Sequence, residues 1–430
     1  MKVNTTPWIF EARTPPAGQS GDVVTWDMDI CVPSREAAEK TGSHRAPTPI
    51  SKVRGANIQD AAAHNRNVII RVLRTLHTAE RGGLAEATGL THPAIHKITK
   101  DLLREGVIIS PSMRRGSKGQ PAGILAVNPD HAFSVGISVE SENVNLVIVD
   151  FAGGIQSCST FQKSRASLLE LRSFFTKCIN DFLDRRTIDL SKIVGVGFSA
   201  MNPSIVPNDK VEIAARELAA LAGCSLQIAS VASAAAHAEV SLDHTPAPSP
   251  FFFLNLSDQF DGVLVVDDQV VPGHRDLQNA PGLLPQLNPF RSSRTNLGKV
   301  LGDAVSISGF VSFLAERGVG IVCLADIDLV DPIVREVIGE WIETVADLLY
   351  LPLLSMFCCL GLRAVLIGGP LPRQIKSDLS LALSKRLSLN LGVNWPDMAV
   401  RPATLEPTAS AVGAALLAFG DHWETGRHAN

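Results

Sequence analysis

The stretch LAEATGLTHPAIHKITK at 84–100 decides how the first folded part of this chain is built. Leu84 to Thr88 reads as a short helix that stops at Gly89, a residue free to take the positive φ of a sharp turn. Thr91 then offers a side-chain oxygen to cap a second helix, and Pro93 falls in its first turn, where a missing N–H is harmless. Ile95, Ile98 and Leu102, spaced three and seven apart, make one apolar stripe. Small Ala85 lets the two helices cross closely, and Leu84, Leu90, Ile95 and Ile98 form their shared core. The pattern is a helix-turn-helix, with a generic helical hairpin as the alternative.

Upstream, Val68, Ile69, Ile70, Val72, Leu73 and Leu76 keep helical spacing. Downstream, Val107 to Ile109 and Ile124 to Val127 read as two strands around a basic turn, which makes a wing. Between His64 and Ala122 ten basic side chains stand against Glu80, Glu86, Asp101 and Glu105, a net of +6. The whole chain carries −4, so the remainder carries −10. Double-stranded DNA rewards such a segment through counterion release, each neutralised phosphate adding ~0.9 to the salt slope.

The candidate DNA contacts are Thr91, His92, Ala94, His96, Lys97 and Lys100 on the second helix, with Arg114, Arg115 and Lys118 in the wing. Lys97 suits guanine, Ala94 a thymine methyl, and Lys100 phosphate. For His92 and His96, base contact and a solvated helix face weigh equally.

A length of 430 residues exceeds one compact core, and 45% hydrophobic with 19% charged residues excludes a wholly disordered chain. Residues 1–60, with six prolines and no sustained apolar period, read as a disordered arm, and 61–128 as the winged module. From about His131, strands rich in Val, Ile and Phe alternate with helical segments, the mark of an α/β body. The TPAPSP run at 245–250 reads as a hinge between two lobes. Seven scattered cysteines without a C-x-x-C pair support neither a disulfide framework nor a cysteine metal site. The first residues lack the apolar core of a signal peptide, and Leu348–Leu362 is too short to span a bilayer. A cytoplasmic protein is expected.

These motifs, with Asn65 and KGQPA at 118–122, resemble the ROK family (repressors, open reading frames and kinases), and within it the transcriptional regulators. NPDHAFSVGISVESENVNLVIVDFAGGI at 128–155, VGVGFSA at 194–200, ASAAAHAE at 232–239, RAVLIGGPL at 363–371 and SAVGAALLAF at 410–419 extend the resemblance over roughly 65 to 430. It implies an N-terminal winged helix-turn-helix followed by a two-lobed α/β actin-like ATPase (ribonuclease H-like) fold. The lobes fall at 129–246 and 247–405, and a helix at 406–430 returns to the first lobe. Gln120 replaces the arginine that usually precedes the wing proline, removing a cation suited to a narrow minor groove.

Family enzymes pass the γ-phosphate of ATP to a sugar hydroxyl, which needs glycine loops around phosphate and a carboxylate base. Here the loops read Ser138-Val139-Glu140-Ser141-Glu142 and Ser257-Asp258-Gln259-Phe260-Asp261, with four acids where phosphate would lie. An acid ~4 Å from a phosphate charge costs ~1 kcal/mol in water and several times that in a cleft. Val231 stands at the base position, and valine accepts no proton. The family's sugar and zinc run falls on Asn279-Ala280-Pro281-Gly282-Leu283, and 288–294 lack its cysteines. No catalytic residue, cofactor or metal is therefore expected. Ser230, Ser233 and His237 are the candidate effector-pocket residues, with a purely structural role in their helix as the alternative.

The expectation is a bacterial, catalytically inactive transcriptional regulator of carbohydrate metabolism, a repressor binding an inverted-repeat operator. It acts as a homodimer or dimer of dimers, answers to a sugar or protein effector, and needs no membrane. A sugar kinase with divergent loops, or a regulator controlled by a protein partner, are the alternatives.

Overall fold

The computed structural model describes residues 58–111, 123–140, 143–162, 167–200, 210–242, 247–258, 260–271, 282, 284–286, 299–321, 323–391, 398–405 and 408–424. All of these lie in the compact unit Ala56–Asn430. The expected arm up to residue 57 and the wing turn with Arg114, Arg115, Lys118 and Gln120 fall outside them.

Three helices open the described chain: α1 (Ile58–Leu76), α2 (Arg81–Thr88) and α3 (His92–Arg104). The first begins before the boundary drawn at residue 60, because Ala61, Ala62 and Ala63 are strong helix formers that carry it past the apolar period. Gly89 ends α2 at φ 69°, and Thr91 caps α3 by accepting from Ala94 N at 3.4 Å. Val107 is not part of a strand. Its N–H closes the end of α3 on Leu102 O at 3.0 Å, beside Gly106 at φ 71°. The pair β1 (Ile108–Ile109) and β2 (Ala126–Val127) is antiparallel, and Leu125 bridges back to Ala79. Ile69, Leu73, Leu84, Ile95, Leu102, Val107 and Leu125 are buried together at this module's centre.

The next elements are β3 (Phe133–Glu140), β4 (Asn143–Asp150), β5 (Ile155–Gln162), α4 (Leu168–Arg186), β6 (Ile193–Ala200), α5 (Lys210–Leu221), β7 (Leu226–Ser230) and α6 (Val231–Leu242). They form a five-stranded sheet of order β5-β4-β3-β6-β7, antiparallel through β3 and parallel from β3 onward. A second set follows: β8 (Phe251–Leu256), β9 (Phe260–Val266), β10 (Gln269–Val270), α7 (Leu301–Val305), α8 (Ile307–Ala315), α9 (Pro332–Leu360), β11 (Ala364–Gly368), α10 (Arg373–Leu391) and β12 (Ala399–Pro402). Its sheet order, β10-β9-β8-β11-β12, repeats the first with the same strand directions. This doubling is the architecture of an actin-like body.

The side-chain alternation of β3 explains the layers. Phe133, Val135 and Ile137 meet Phe175 and Phe182 of α4 on one face. Ser134 on the other face donates to Ala415 O at 2.8 Å, in the last helix, α11 (Ala409–Glu424). In the second lobe Phe252, Leu254 and Leu256 pack with Trp341, Val345 and Leu349 of α9. The opposite face, with Phe251, Phe253 and Leu366, receives Ala232, Ala235 and Ala236 of α6. Helix α6 therefore stands between the sheets.

Helix α9 differs from the sequence expectation. The apolar run at 348–362 is, up to Leu360, the end of a continuous 29-residue helix that is long and apolar enough to cross a membrane. Its Trp341, Ile342, Val345, Leu349 and Leu353 are buried in the second-lobe core, which accounts for the composition.

Candidate nucleic-acid interface

On α3 the buried stripe is Ile95, Thr99 and Leu102, with Ile98 half-buried beside it. The opposite face presents Thr91, His92, His96, Lys97 and Lys100 to solvent, while Ala94 is half-buried. Among the described residues neither Lys97 nor Lys100 takes part in an ion pair. His92, His96, Lys97 and Lys100 follow the helical period and share one side, so they form one surface, with the cap residue Thr91 exposed just before the helix.

The basic character of this segment is divided differently from the simple charge count. Arg66 pairs with Glu105, and Arg104 with Asp101 at 3.1 Å. Arg81 Nε donates to Thr99 Oγ1 at 3.1 Å, tying the start of α2 to the middle of α3. Arg74 Nε donates to Phe151 O at 2.8 Å, and Arg71 lies 3.8 Å from Asp268. Five of the ten cations, Arg66, Arg71, Arg74, Arg81 and Arg104, thus have partners within the protein. Charge counting could not separate them, because it carries no information on where a side chain points.

Among the described residues, Glu140, Val231, Asn255, Gly368, Gly369 and Ser410, with others, line a cavity of about 20 Å³ between the lobes. That is room for about one water, against the several hundred Å³ of a small-molecule site. Glu140 accepts from Ser410 Oγ at the start of α11, and burial together with Asp258 raises its carboxyl above the ordinary range. Asp261 on β9 accepts from Gly262 N at 2.7 Å and from Ala232 N, at the start of α6, at 3.4 Å. Two of the loop acids therefore sit at helix N-termini, where the peptide dipoles favour negative charge. Glu142 falls outside the described residues.

The three candidate effector residues are not brought together around this cavity. Ser230 is buried, and its Oγ accepts from Ser233 N at 3.1 Å in the first turn of α6. His237 lies beneath α1, where burial and the charges of Arg74 and Arg71 push its pKa down to about 4. None of the three lines the interlobe cavity. The helix offers several faces, and only Val231 and Ala235 turn toward that space.

Two other buried charges meet near the same place. Glu239 accepts from Thr404 N, Thr404 Oγ1 and Leu405 N at 2.7–2.8 Å, joining α6 to the bend that follows β12. Lys376 Nζ donates to Gly369 O at 2.9 Å, with its pKa pushed down to about 8 chiefly by burial. Glu239 was visible in sequence as an acid inside an alanine-rich helix; nothing local marks its partners.

Asp261 yields a pH prediction. Burial pushes its carboxyl up to about 6 from 3.8. A raised carboxyl contributes stability below its unfolded pKa and loses it as pH rises through the folded value. Two units correspond to ~3 kcal/mol, as an order of magnitude. His237 has the opposite sign, losing stability as pH falls from 6.5 toward 4, so the two titrations oppose each other in the unmodified protein. The difference between wild type and Asp261→Asn isolates the carboxyl. Urea midpoints at pH 4.5 and 7.5 are expected to shift in favour of the variant at the higher pH, and a pH-independent difference would contradict the assignment.

The described fold, a three-helix module joined to a two-lobed actin-like body, is similar to that of solved ROK-family structures. A crystal structure of a ROK family transcriptional regulator, described as a homolog of the Escherichia coli Mlc protein, matches with a TM-score of 0.58. It is 16% identical and covers 84% of this chain and 97% of its own. A ROK hexokinase from Thermus thermophilus matches at 0.50, with 17% identity over 67% of this chain and 98% of its own. In sequence, the uncharacterized protein y4fQ of Sinorhizobium fredii (strain NBRC 101917 / NGR234) is 23% identical over 362 residues, 81% of this chain and 88% of that relative. No family model matches the chain.

Proposed function

We propose that this protein is a cytoplasmic, sequence-specific DNA-binding transcriptional regulator, a repressor that reads an inverted repeat as a homodimer. The winged helix-turn-helix comprises α1, α2, α3, β1 and β2, and α3 enters the major groove. The observation that carries this is the exposed face of α3, where Lys97 and Lys100 stand clear of the ion pairs that occupy the neighbouring arginines. The shares of chain covered agree with it: the regulator matches about 70 more residues than the hexokinase, close to the span from Ile58 to Val127.

The body is a regulatory and dimerisation domain that does not turn over ATP. Val231 is buried at 2% exposure where a kinase of this fold would place its base, and valine accepts no proton. The test is to incubate purified full-length protein with sheared genomic DNA at physiological salt and sequence what is retained. An inverted repeat near a small set of genes is the expected result. Retention no different from random fragments would remove the DNA reading, and sugar-dependent ATP hydrolysis would return the chain to the enzymes.

A further inference from the structure

We infer that Arg71 and Arg74 of α1 are positioning residues that anchor the DNA-reading module to both lobes at once and pass lobe movement to α3. The inference rests on the DNA reading above and names how the body would act on it.

The buried side of α1 shares one core with the first lobe: Ile69, Ile70 and Leu73 pack with Phe151, Ala238, Val412, Leu416 and Phe419. Arg74 enters this core. Its guanidinium lies 4.8 Å from the Phe151 ring centre and 5.3 Å from that of Phe419, with Nε bonded to Phe151 O. Its Nη2 is buried without a hydrogen-bond partner. Adhesion alone would be served as well by an apolar side chain, which avoids desolvating a cation. A planar guanidinium between two rings and a directed hydrogen bond instead set an angle.

The receiving turn is itself rigid. Asp150 Oδ1 accepts from Ala152 N and Gly154 N at 2.9 Å each, and Oδ2 from Gln156 Nε2 at 2.5 Å. One helical turn before Arg74, Arg71 reaches the other lobe. Its Nη1 lies 3.4 Å from Asp268 O and its Nη2 3.8 Å from Asp268 Oδ2. Asp267 and Asp268, at φ 50° and 59°, form the tight turn between β9 and β10, where positive φ at both positions matches the strand twist. Within the module, Arg66–Glu105 and Arg81–Thr99 link α1 and α2 to α3. A rotation of the second lobe against the first therefore acts on α1 across three residues and moves α3 with it.

The test uses full-length Arg74→Gln and Asp268→Asn, the second a mild change at an exposed turn. Hydrogen exchange is followed in both, and binding is measured to inverted repeats of varied half-site spacing. Arg74→Gln is expected to speed exchange at least tenfold in the last two turns of α1 and at 151–156, leaving 92–104 protected. Both variants should bind a single half-site as wild type does while losing the sharp spacing optimum. An unchanged spacing profile in both would overturn the inference. So would a loss of protection throughout α3, which would make Arg74 a residue of module stability alone. If wild type ignores DNA, the regulatory reading fails, and exchange at the seam decides the anchoring by itself.

Discussion

Replacing Lys97 and Lys100 together by alanine is expected to lower DNA affinity about 100-fold or more while leaving folding intact. Both side chains are exposed on α3, so their loss should change stability by no more than ~0.5 kcal/mol. Their electrostatic effect is not diluted by neighbours, since Arg66, Arg71, Arg74 and Arg81 are engaged within the protein. A guanine contact by Lys97 is worth about 1–3 kcal/mol of discrimination. The single variant Lys97→Ala should relax preference at one base pair of each half-site. Lys100→Ala should weaken all sequences alike and reduce the salt slope by ~0.9 per lost phosphate contact. Titrations by fluorescence anisotropy at several salt concentrations read both quantities. Wild-type affinity in the double variant would show that α3 is not the element in the groove.

Substitution of Gly197 by alanine is expected to be among the most damaging single methyls in the body. A Cβ built there would lie 1.9 Å from Ala414 O and 2.3 Å from Ala414 C, backbone atoms of α11 that cannot rotate away. Gly136 and Gly413 are equally close to backbone, at 1.8 Å from Ala411 O and 1.7 Å from Ala234 O. Helix α11 thus lies on β3, β6 and α6 at distances that only glycine allows. Overpacking usually costs 1–3 kcal/mol, and with backbone as the obstacle about 3 kcal/mol or more is expected. Gly339→Ala in α9, with nothing within 4 Å of the added carbon, is the control and should be neutral or slightly stabilising. Denaturation midpoints of the two variants separate these outcomes; equal midpoints would mean that α11 is less tightly seated than the structure indicates.

The module of α1 to β2 was legible because its signals are local. Thr91, Gly89 and the stripe of Ile95, Ile98 and Leu102 act within a few residues of where they stand in the chain, through capping, turn geometry and helical period. The ends were less legible: Val107 reads as strand by composition, yet its N–H is drawn to Leu102 O to close a helix. The doubled sheet order is consistent with the alternation of strands and helices, but alternation does not say which strands pair.

The cleft shows the limit most clearly. Acids at 140, 258 and 261 were read as repelling phosphate, a statement about charge that holds wherever they point. Their places in the fold add that Glu140 and Asp261 themselves occupy helix N-termini. His237 moved furthest from expectation, because which side of α6 faces α1 depends on packing between segments far apart in sequence.

Sequence alone determined the two helices about the Gly89 turn, the outward Lys97 and Lys100 and the absence of a carboxylate at position 231, since each depends on residue identity or on spacing of a few residues. Tertiary structure alone decided which arginines have partners within the protein, where His237 lies, and that α1 touches both lobes. Those are properties of atoms brought together across the chain, as Arg74 is with Phe151, 77 residues away. Local chemistry is written in neighbouring residues, whereas burial and partnership come into being only when the distant surfaces meet.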